Sequence, residues 1–403
     1  MLKRNPRFAS ADERFRFQEG LIASSSEDVD ICDLLEAEGL GIDDLIYRNS
    51  RTRSWKGRKP RELESFEKIA DGVPLVSFFT GCGGMDLGLE AVGFEHVAAF
   101  EHNEIFCRTL RKNRPSWRVF GPPIHNGDVS KVDEVADALA PLVTTPFEGV
   151  FIGGPPCQPF SIAANQRFAR WGDNFKRVGF KHATNGNLLF DFIALILDFR
   201  PKAFVIENVP GLRDLDGGEQ LSVAIDQLTR VGYRVAEPVV LDAADHGIPQ
   251  YRQRMFVVGS RGQGAGSFTP PKKQEHIGAS SVLDDLPKEG ALNHETRRHK
   301  VGSIARYMVL DYGQRDQLGR VDRLTPDKPS KTVIAGGTNG GGRSHLHPEI
   351  PRTLSVRECA RLQTFPDGYA FVGPTARQFT QVGNAVPPVL AAQIATQLVK
   401  AYF

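Results

Sequence analysis

Leu75-Val76-Ser77-Phe78-Phe79-Thr80-Gly81-Cys82-Gly83-Gly84-Met85-Asp86-Leu87-Gly88-Leu89-Glu90-Ala91 reads as a strand, a glycine turn and a helix in immediate succession. The first five residues are an apolar run of strand length. The glycines allow backbone conformations closed to other residues, so a tight turn is expected there. Met85, Leu87 and Leu89 are among the apolar positions of the helix that follows, over Met85–Ala91. The same alternation continues outward. Val97–Phe100 is a second strand ending in Glu101, and Asn103–Lys112 a second helix. Asp128 precedes another helix, 150–152 is a strand, and a helix lies near Leu188–Leu197. Ala203–Ile206, a helix near Glu219–Arg230 and a late strand Met255–Val258 complete the series. Strands alternating with helices predict an α/β fold with a mostly parallel sheet covered on both faces.

Beyond Gly259 the alternation stops. Residues 261–352 are rich in Gly, Pro, Arg and His, which predicts a smaller inserted domain or a set of recognition loops. Helical spacing returns at Ser355–Gln363 and Pro388–Val399, so 353–403 is expected to rejoin the α/β domain of 73–260. Residues 1–72 differ again. Between Glu27 and Asp44 stand eight acidic residues and no basic one, and between Arg48 and Arg61 seven basic residues and no acidic one. A helix over 29–38, a glycine break and a short helix over 42–48 fit a DNA-binding helix-turn-helix. A solvated appendage with segregated charge is the preferred reading.

Composition bounds the rest. The 403 residues are 40% apolar and 24% charged, with a net charge of +2, an ordinary globular balance that excludes neither nucleic acid nor a small substrate. Cys32, Cys82, Cys107, Cys157 and Cys359 form no Cys-x-x-Cys pair, so neither a metal site nor a disulfide framework is expected. No apolar run is long enough to span a bilayer and the amino terminus has no apolar signal region. A cytoplasmic protein is expected.

Three stretches carry candidate chemistry. The glycine turn lets a ligand approach the backbone, and Glu101 could accept hydrogen bonds from ribose hydroxyls. Asp86 occupies the place of the third glycine of the nicotinamide fingerprint, and its charge at a helix start would repel a pyrophosphate. A cofactor with a ribose but no phosphate, such as S-adenosylmethionine, is the better match. In Gly153-Gly154-Pro155-Pro156-Cys157-Gln158-Pro159, glycine and proline forbid regular structure, so Cys157 sits on a stiff loop at the end of a strand. That presentation suits a reactive thiol better than a packed one. Glu207 ends another strand, and Gln250, Arg252 and Arg254 alternate onto one face before the last. Taken singly, both read as solvated polar positions.

Together, in this order, these residues resemble the DNA (cytosine-5) methyltransferase family of bacterial type. Phe79, Gly81, Gly83 and Gly84 resemble its cofactor glycine motif, and Glu101 its ribose-binding acid. Gly127-Asp128-Val129 resembles the adenine-contacting segment and Pro156-Cys157 the catalytic Pro-Cys motif. Gly186-Asn187-Leu188-Leu189-Phe190 is similar to a further cofactor-lining segment. Glu207-Asn208-Val209 is similar to the Glu-Asn-Val motif, and Gln250, Arg252 and Arg254 to Gln-x-Arg-x-Arg. Arg357-Glu358 through Pro366 resembles the motif after the target recognition domain, and Gln381-Val382-Gly383-Asn384 the last motif. Ser77 stands where the family often has Asp, His102 where it often has Trp or Asp, and the loop from Cys157 to Gly186 is long.

The resemblance implies a Rossmann-like class I methyltransferase sheet with a smaller inserted target recognition domain. It implies S-adenosylmethionine as cofactor, held by Phe79, Gly81, Gly83, Gly84, Glu101, His102, Asp128, Val129, Pro156, Leu188 and Asn384. Cys157 would be the nucleophile, with Glu207, Arg252 and Arg254 beside it and no metal. The substrate would be a cytosine flipped from double-stranded DNA, with Asn165, Gln166, Arg167, Arg170 and Lys176 closing over it. Arg297, Arg298, Lys300, Arg306, Arg343, His345, His347 and the glycine-rich Thr338–Gly342 are expected DNA contacts. A cognate restriction endonuclease and a monomeric state are further implied. An RNA cytosine methyltransferase, and a DNA-binding regulator acting through residues 1–61, are the competing readings.

Overall fold

Five apolar segments lie side by side and parallel, and three more close one edge of the same sheet. In the computed structural model, which describes residues 8–50, 57–156, 188–214, 218–262, 268–287, 290–335 and 345–403, these are β1 (Pro74–Phe78), β2 (Glu95–Phe100), β3 (Val119–Phe120), β4 (Val150–Gly153), β5 (Ala203–Asn208), β6 (Tyr233–Val235), β7 (Val239–Asp242) and β8 (Gln253–Arg261). Their order is β3-β2-β1-β4-β5-β8-β6, with β7 also pairing β8. Pairs among β1 to β5 are parallel, whereas β8 runs antiparallel to β5, β6 and β7. The expected mostly parallel sheet is therefore mixed at one edge, and its late strand is longer than 255–258.

Neighbouring residues on a strand face opposite sides of a sheet. Leu75 and Val76 are both fully buried, as are Phe151 and Ile152, so the central strands are covered on both faces. On one face the helices Val132–Leu139, Leu188–Phe199 and Glu219–Arg230 bring Val135, Phe192, Ile196 and Leu228 onto Phe78, Phe100, Phe151 and Phe204. The helix Gly84–Val92 packs on the last helix, Pro388–Tyr402, so closely that a Cβ on Gly88 would stand 2.5 Å from Ala391.

The chain divides into two units. The sheet unit comprises Glu62–His246, Arg252–Lys273 and Ala385–Phe403, and the other Met1–Arg61, Gly247–Tyr251 and Gln274–Asn384. Residues 353–384, expected to rejoin the sheet, cluster with this second unit instead.

In that second unit the amino-terminal segment is not a solvated appendage. Ile31, Leu35 and Leu45 share a core with Val301, Ile304, Tyr307, Val321 and Leu346. Four acids of the run meet cations from later in the chain: Asp28 pairs with Lys300, Asp30 and Asp33 with Arg298, and Asp43 with Arg352. The expected helix over 42–48 is a single 3-10 turn, Ile42–Asp44, followed by extended chain in which Leu45, Ile46 and Tyr47 are buried. Leu45 has left the helical region, at φ −70° and ψ 148°, and successive side chains of an extended segment point to opposite sides, so protein must cover both sides to bury all three. A helix not expected from the sequence, Ala11–Ala23, is capped by Ser10 and anchored by Gln18, which bonds both ways with the backbone of Ile46 at 2.9 Å.

The helix Val356–Leu362 carries a capping box between Ser355 and Glu358. Glu358 also accepts two bonds of 2.9 Å from the Arg352 guanidinium, and both residues are buried. That guanidinium first among its partners holds the Glu358 carboxyl well below the usual range against the opposing effect of burial. His299 and His347, buried nearby, are pushed down to about 4 by desolvation.

A depressed carboxyl pKa gives stability that is present above the unfolded value and lost progressively as pH falls from there through the folded value, whereas neutral buried histidines cost stability from about pH 6.5 downward. Glu358→Gln should therefore cost about 3 kcal/mol at pH 7, because it removes the paired carboxylate from a buried arginine that keeps only Asp43 as an acid. Below pH ~4.3 the gap to wild type should narrow, since only the wild-type residue titrates there. Denaturant unfolding at a series of pH values measures both.

Candidate active site

Four strand ends define the site. Phe78 of β1 pairs in register with Phe100 of β2 and Gly153 of β4, and Gly153 pairs with Ile206 of β5. All four strands run parallel, so the next residue of each, Phe79, Glu101, Gly154 and Glu207, emerges at the same edge. The strand order reverses between β1 and β4, which opens a crevice at these carboxyl ends.

After β1 the chain turns through left-handed conformations at Phe79 (φ 52°), Gly81 (φ 61°) and Gly83 (φ 79°). Phe79 bears strain that a glycine would not, and its ring meets Phe192 edge-on at 6.2 Å. At Gly81 an added Cβ would meet nothing nearer than 3.9 Å, so that side of the turn is open. The buried Glu101 carboxylate accepts from the Gly81 and Asn103 amides, each at 2.7 Å. A carboxylate has about four acceptor positions, and the His102 amide also bonds to this one, so about one is left for a ligand. Burial pushes the Glu101 carboxyl up, against the pull of these amides and of His102, whose exposed ring lies 3.4 Å away. The Glu101 main chain is fixed as well. The Cys107 thiol donates to its carbonyl at 3.1 Å, and a Cβ on Gly127 would come within 2.1 Å of the same oxygen.

Asp128 is half-buried and caps the Ser130 amide at 3.0 Å. Asp191, not singled out from the sequence, faces it: burial first and Asp128 second push the Asp191 carboxyl up. Val129 lies in the sheet's core cluster, so its side chain packs inward and its backbone is the part left for a ligand. Leu188 opens the helix Leu188–Phe199 and is buried.

Glu207 is the centre of the second half. Its carboxylate accepts from Arg254 Nε at 2.8 Å. Burial raises its pKa most strongly, with Arg254 and Arg252 opposing. Arg252 is buried too, and desolvation with the nearby Arg254 depresses its pKa well below that of a free arginine. These arginines are therefore not a solvated edge. The alternation predicted from the sequence holds, with Tyr251 and Gln253 exposed between them. Gln250 belongs to the second unit, where its amide accepts from Val333 N at 2.8 Å and donates to Gln363 at 3.1 Å.

Gly154 explains the glycine before the prolines. A Cβ there would stand 2.8 Å from the Glu207 carboxylate. Asn208 donates to the Pro155 carbonyl at 3.2 Å, tying the same stretch to the end of β5. Pro156 is exposed at the end of this segment. Cys157 lies outside the described residues, as do Asn165, Gln166, Arg167, Arg170, Lys176 and Gly186-Asn187, and in the second unit Thr338–Gly342 and Arg343. Asn384 ends the helix Thr375–Asn384 and is exposed.

Other expectations change. Asp86 does not present a free charge at the helix start: it is buried and bonded to His96 Nε2 at 2.9 Å, whose ring stacks on Trp117 at 4.1 Å. His345 and His347 are buried rather than displayed for DNA, and Arg298, Lys300 and Arg306 are engaged with acids of their own unit. Among the described residues no three His, Cys, Asp or Glu side chains are grouped to hold a metal, and no helix is long and apolar enough to cross a membrane.

Residues 73–400 match the family model for C-5 cytosine-specific DNA methylase. The type II methyltransferase M.PspPI of Psychrobacter is 32% identical over 352 residues, covering 81% of this chain and 79% of that protein. M.Eco47II of Escherichia coli, also a type II methyltransferase, is 31% identical over 399 residues, covering 88% and 89%. Among solved structures, a proposed DNA modification methyltransferase encoded within an Escherichia coli prophage superposes with a TM-score of 0.66 at 23% identity, over 82% of this chain and 99% of that one. At that identity the likeness supports the sheet and its helices.

Gly154→Ala should cost about 1–3 kcal/mol by overpacking against Glu207. In a Glu207→Ala background the cost should shrink, giving a coupling of about 0.5–3 kcal/mol in a double-mutant cycle followed by urea unfolding.

Proposed function

The chain belongs to the C-5 cytosine-specific DNA methylase family, and on that premise we propose that it moves a methyl group from S-adenosylmethionine to carbon 5 of a cytosine flipped out of a specific duplex sequence, through a covalent bond to Cys157. Membership carries DNA cytosine-5 methylation as the activity. The cofactor, the flipped base and the covalent route are the proposal. The observation that supports it best is the common edge of four parallel strands. It places the glycine turn and Glu101 beside Gly154 and Glu207, with Cys157 one residue beyond Pro156 in the chain.

The residues present fit the cofactor. The open side of Gly81 and the remaining acceptor position of Glu101 suit a ribose. Phe79, Gly83, Gly84, His102, Asp128, Val129, Pro156, Leu188 and Asn384 complete the proposed set. When bound, the cofactor would supply an electrophilic methyl group on its sulfonium. The protein's task is to make carbon 5 nucleophilic. Cys157 as thiolate adds to carbon 6, which breaks the ring's 5,6 double bond and leaves an enamine. Negative charge develops on the ring, and Glu207, its pKa raised by burial, is suited to hold a proton at ring nitrogen 3. Arg254, bonded to Glu207, and Arg252 supply positive charge near that edge. Once carbon 5 carries the methyl group, a base such as water takes the proton from that carbon, the electron pair re-forms the 5,6 double bond, and the bond from carbon 6 to sulfur breaks to release the Cys157 thiolate. Because carbon 5 of a stacked base is out of reach, flipping precedes these steps, at a cost of a few kcal/mol. Residues 261–352 choose the sequence, with Arg297 exposed among them. The enzyme would act as a monomer alongside a cognate endonuclease.

Glu101→Ala should weaken S-adenosylmethionine binding by about 1–3 kcal/mol, measured by calorimetry, through lost hydrogen bonds to the ribose. Unchanged affinity would remove Glu101 from the site. A duplex bearing 5-fluorocytosine at the target should trap the wild-type enzyme when cofactor is present, because fluorine cannot leave as a cation. The adduct should survive denaturation. Cys157→Ser should form none, since a hydroxyl supplies almost no anion, and alanine at Cys82, Cys107 or Cys359 should leave trapping intact. An adduct formed by Cys157→Ser would overturn the assignment.

A further inference from the structure

In the second unit Arg315–Asp316 (β9) and Val321–Asp322 (β10) form a small antiparallel hairpin, with Asp316 opposite Val321 and Arg315 opposite Asp322. Its root is fixed from several sides. Asp316 accepts from Gly319 N at 2.6 Å and Arg306 Nε at 3.1 Å. Asp322 takes Arg315 at 3.1 Å and Lys331 at 2.7 Å. The next residue, Arg323, is buried between the rings of Tyr47 and Tyr312, at 3.6 and 3.8 Å.

The tip, Gln317-Leu318-Gly319-Arg320, is the opposite. Leu318 is 77% exposed, and Arg320 is exposed as well. Arg320 also holds a left-handed backbone, φ +54°. A bulky side chain pays for that conformation and a glycine does not. The neighbouring glycine is needed elsewhere, because a Cβ on Gly319 would strike Asp316 at 2.5 Å. So the strained position carries a guanidinium where folding alone favours glycine. The hairpin's two acids are buried and matched at the root by Arg306, Arg315 and Lys331, whereas Arg320 and Leu318 are exposed at the tip.

We propose that this hairpin tip is a DNA-reading element, in which Arg320 contacts phosphate and Leu318 lies against base edges in a groove. The inference rests on the reading of the chain as a duplex-DNA methyltransferase and names residues for it. A rigid root with a cationic, apolar tip suits a polyanion whose groove floor offers apolar surface.

The test uses the full chain, with a duplex carrying the site found by bisulfite sequencing and a scrambled duplex. Arg320→Gly relieves the strained backbone, so its Tm should equal or exceed that of wild type. Its affinity for both duplexes should fall roughly tenfold, and the slope of log affinity against log salt should shrink by about 0.9. Leu318→Ser should keep its Tm and lose most of the preference for the target duplex. Wild-type affinity and preference in both variants would overturn the inference, as would losses that follow a fall in Tm. If wild type methylates no cytosine, the functional reading fails; if it methylates and the variants match it, only the hairpin's role fails.

Discussion

One register row organises the catalytic unit. Phe78, Phe100, Gly153 and Ile206 stand side by side across β2, β1, β4 and β5. Hydrogen bonding in a parallel sheet fixes that row, and a slip of one residue would turn each strand's side chains to the opposite face. The residues that follow, Phe79, Glu101, Gly154 and Glu207, are thereby delivered to one edge although 128 positions separate the first from the last. The aromatic core below, with Phe78 stacked on Phe100 and edged by Phe151 and Phe192, makes the row rigid. Side chains at that edge inherit the precision of the sheet rather than the latitude of loops.

Burial then sets their chemistry. Glu101 and Glu207 both lose water, and for both desolvation is the largest influence on the carboxyl, raising its pKa. Their partners differ. Glu101 is met by backbone amides, which hold it as an acceptor. Glu207 is met by an arginine whose neighbour Arg252 is itself desolvated. An acceptor fixed by amides suits ligand hydroxyls, and a carboxyl poised between burial and a cation suits moving a proton. Two glutamates at two strand ends thus suit different tasks.

The second unit shows where sequence patterns mislead. The acidic run over 27–44 reads as a solvated face because its partners, Arg298, Lys300 and Arg352, lie more than 250 positions later. His345 and His347 read as surface groups because histidine carries no mark of burial in a polar segment, yet both lie inside the unit. Asp86 reads as a charge facing a ligand, whereas His96 binds it and Trp117 stacks on His96. In each case the missing fact was a long-range contact, which local composition does not encode.

Period and punctuation were enough for much of the rest. Short apolar runs, each followed by glycine, proline or an acid, marked the strands and named Gly81 and Glu101 as candidates, because these signals are local and backbone sterics read them directly, whereas Phe79, Glu207, Arg252 and Arg254 became candidates only through the family resemblance. The antiparallel placing of β8, the docking of residues 8–50 into the second unit, the need for glycine at 154 and the Glu207–Arg254 pair were decided only by the tertiary structure. Those depend on which distant surfaces meet and exclude water. A run of residues states how its own chain will bend, but the energy of desolvation and of paired charge belongs to neighbours that only folding supplies.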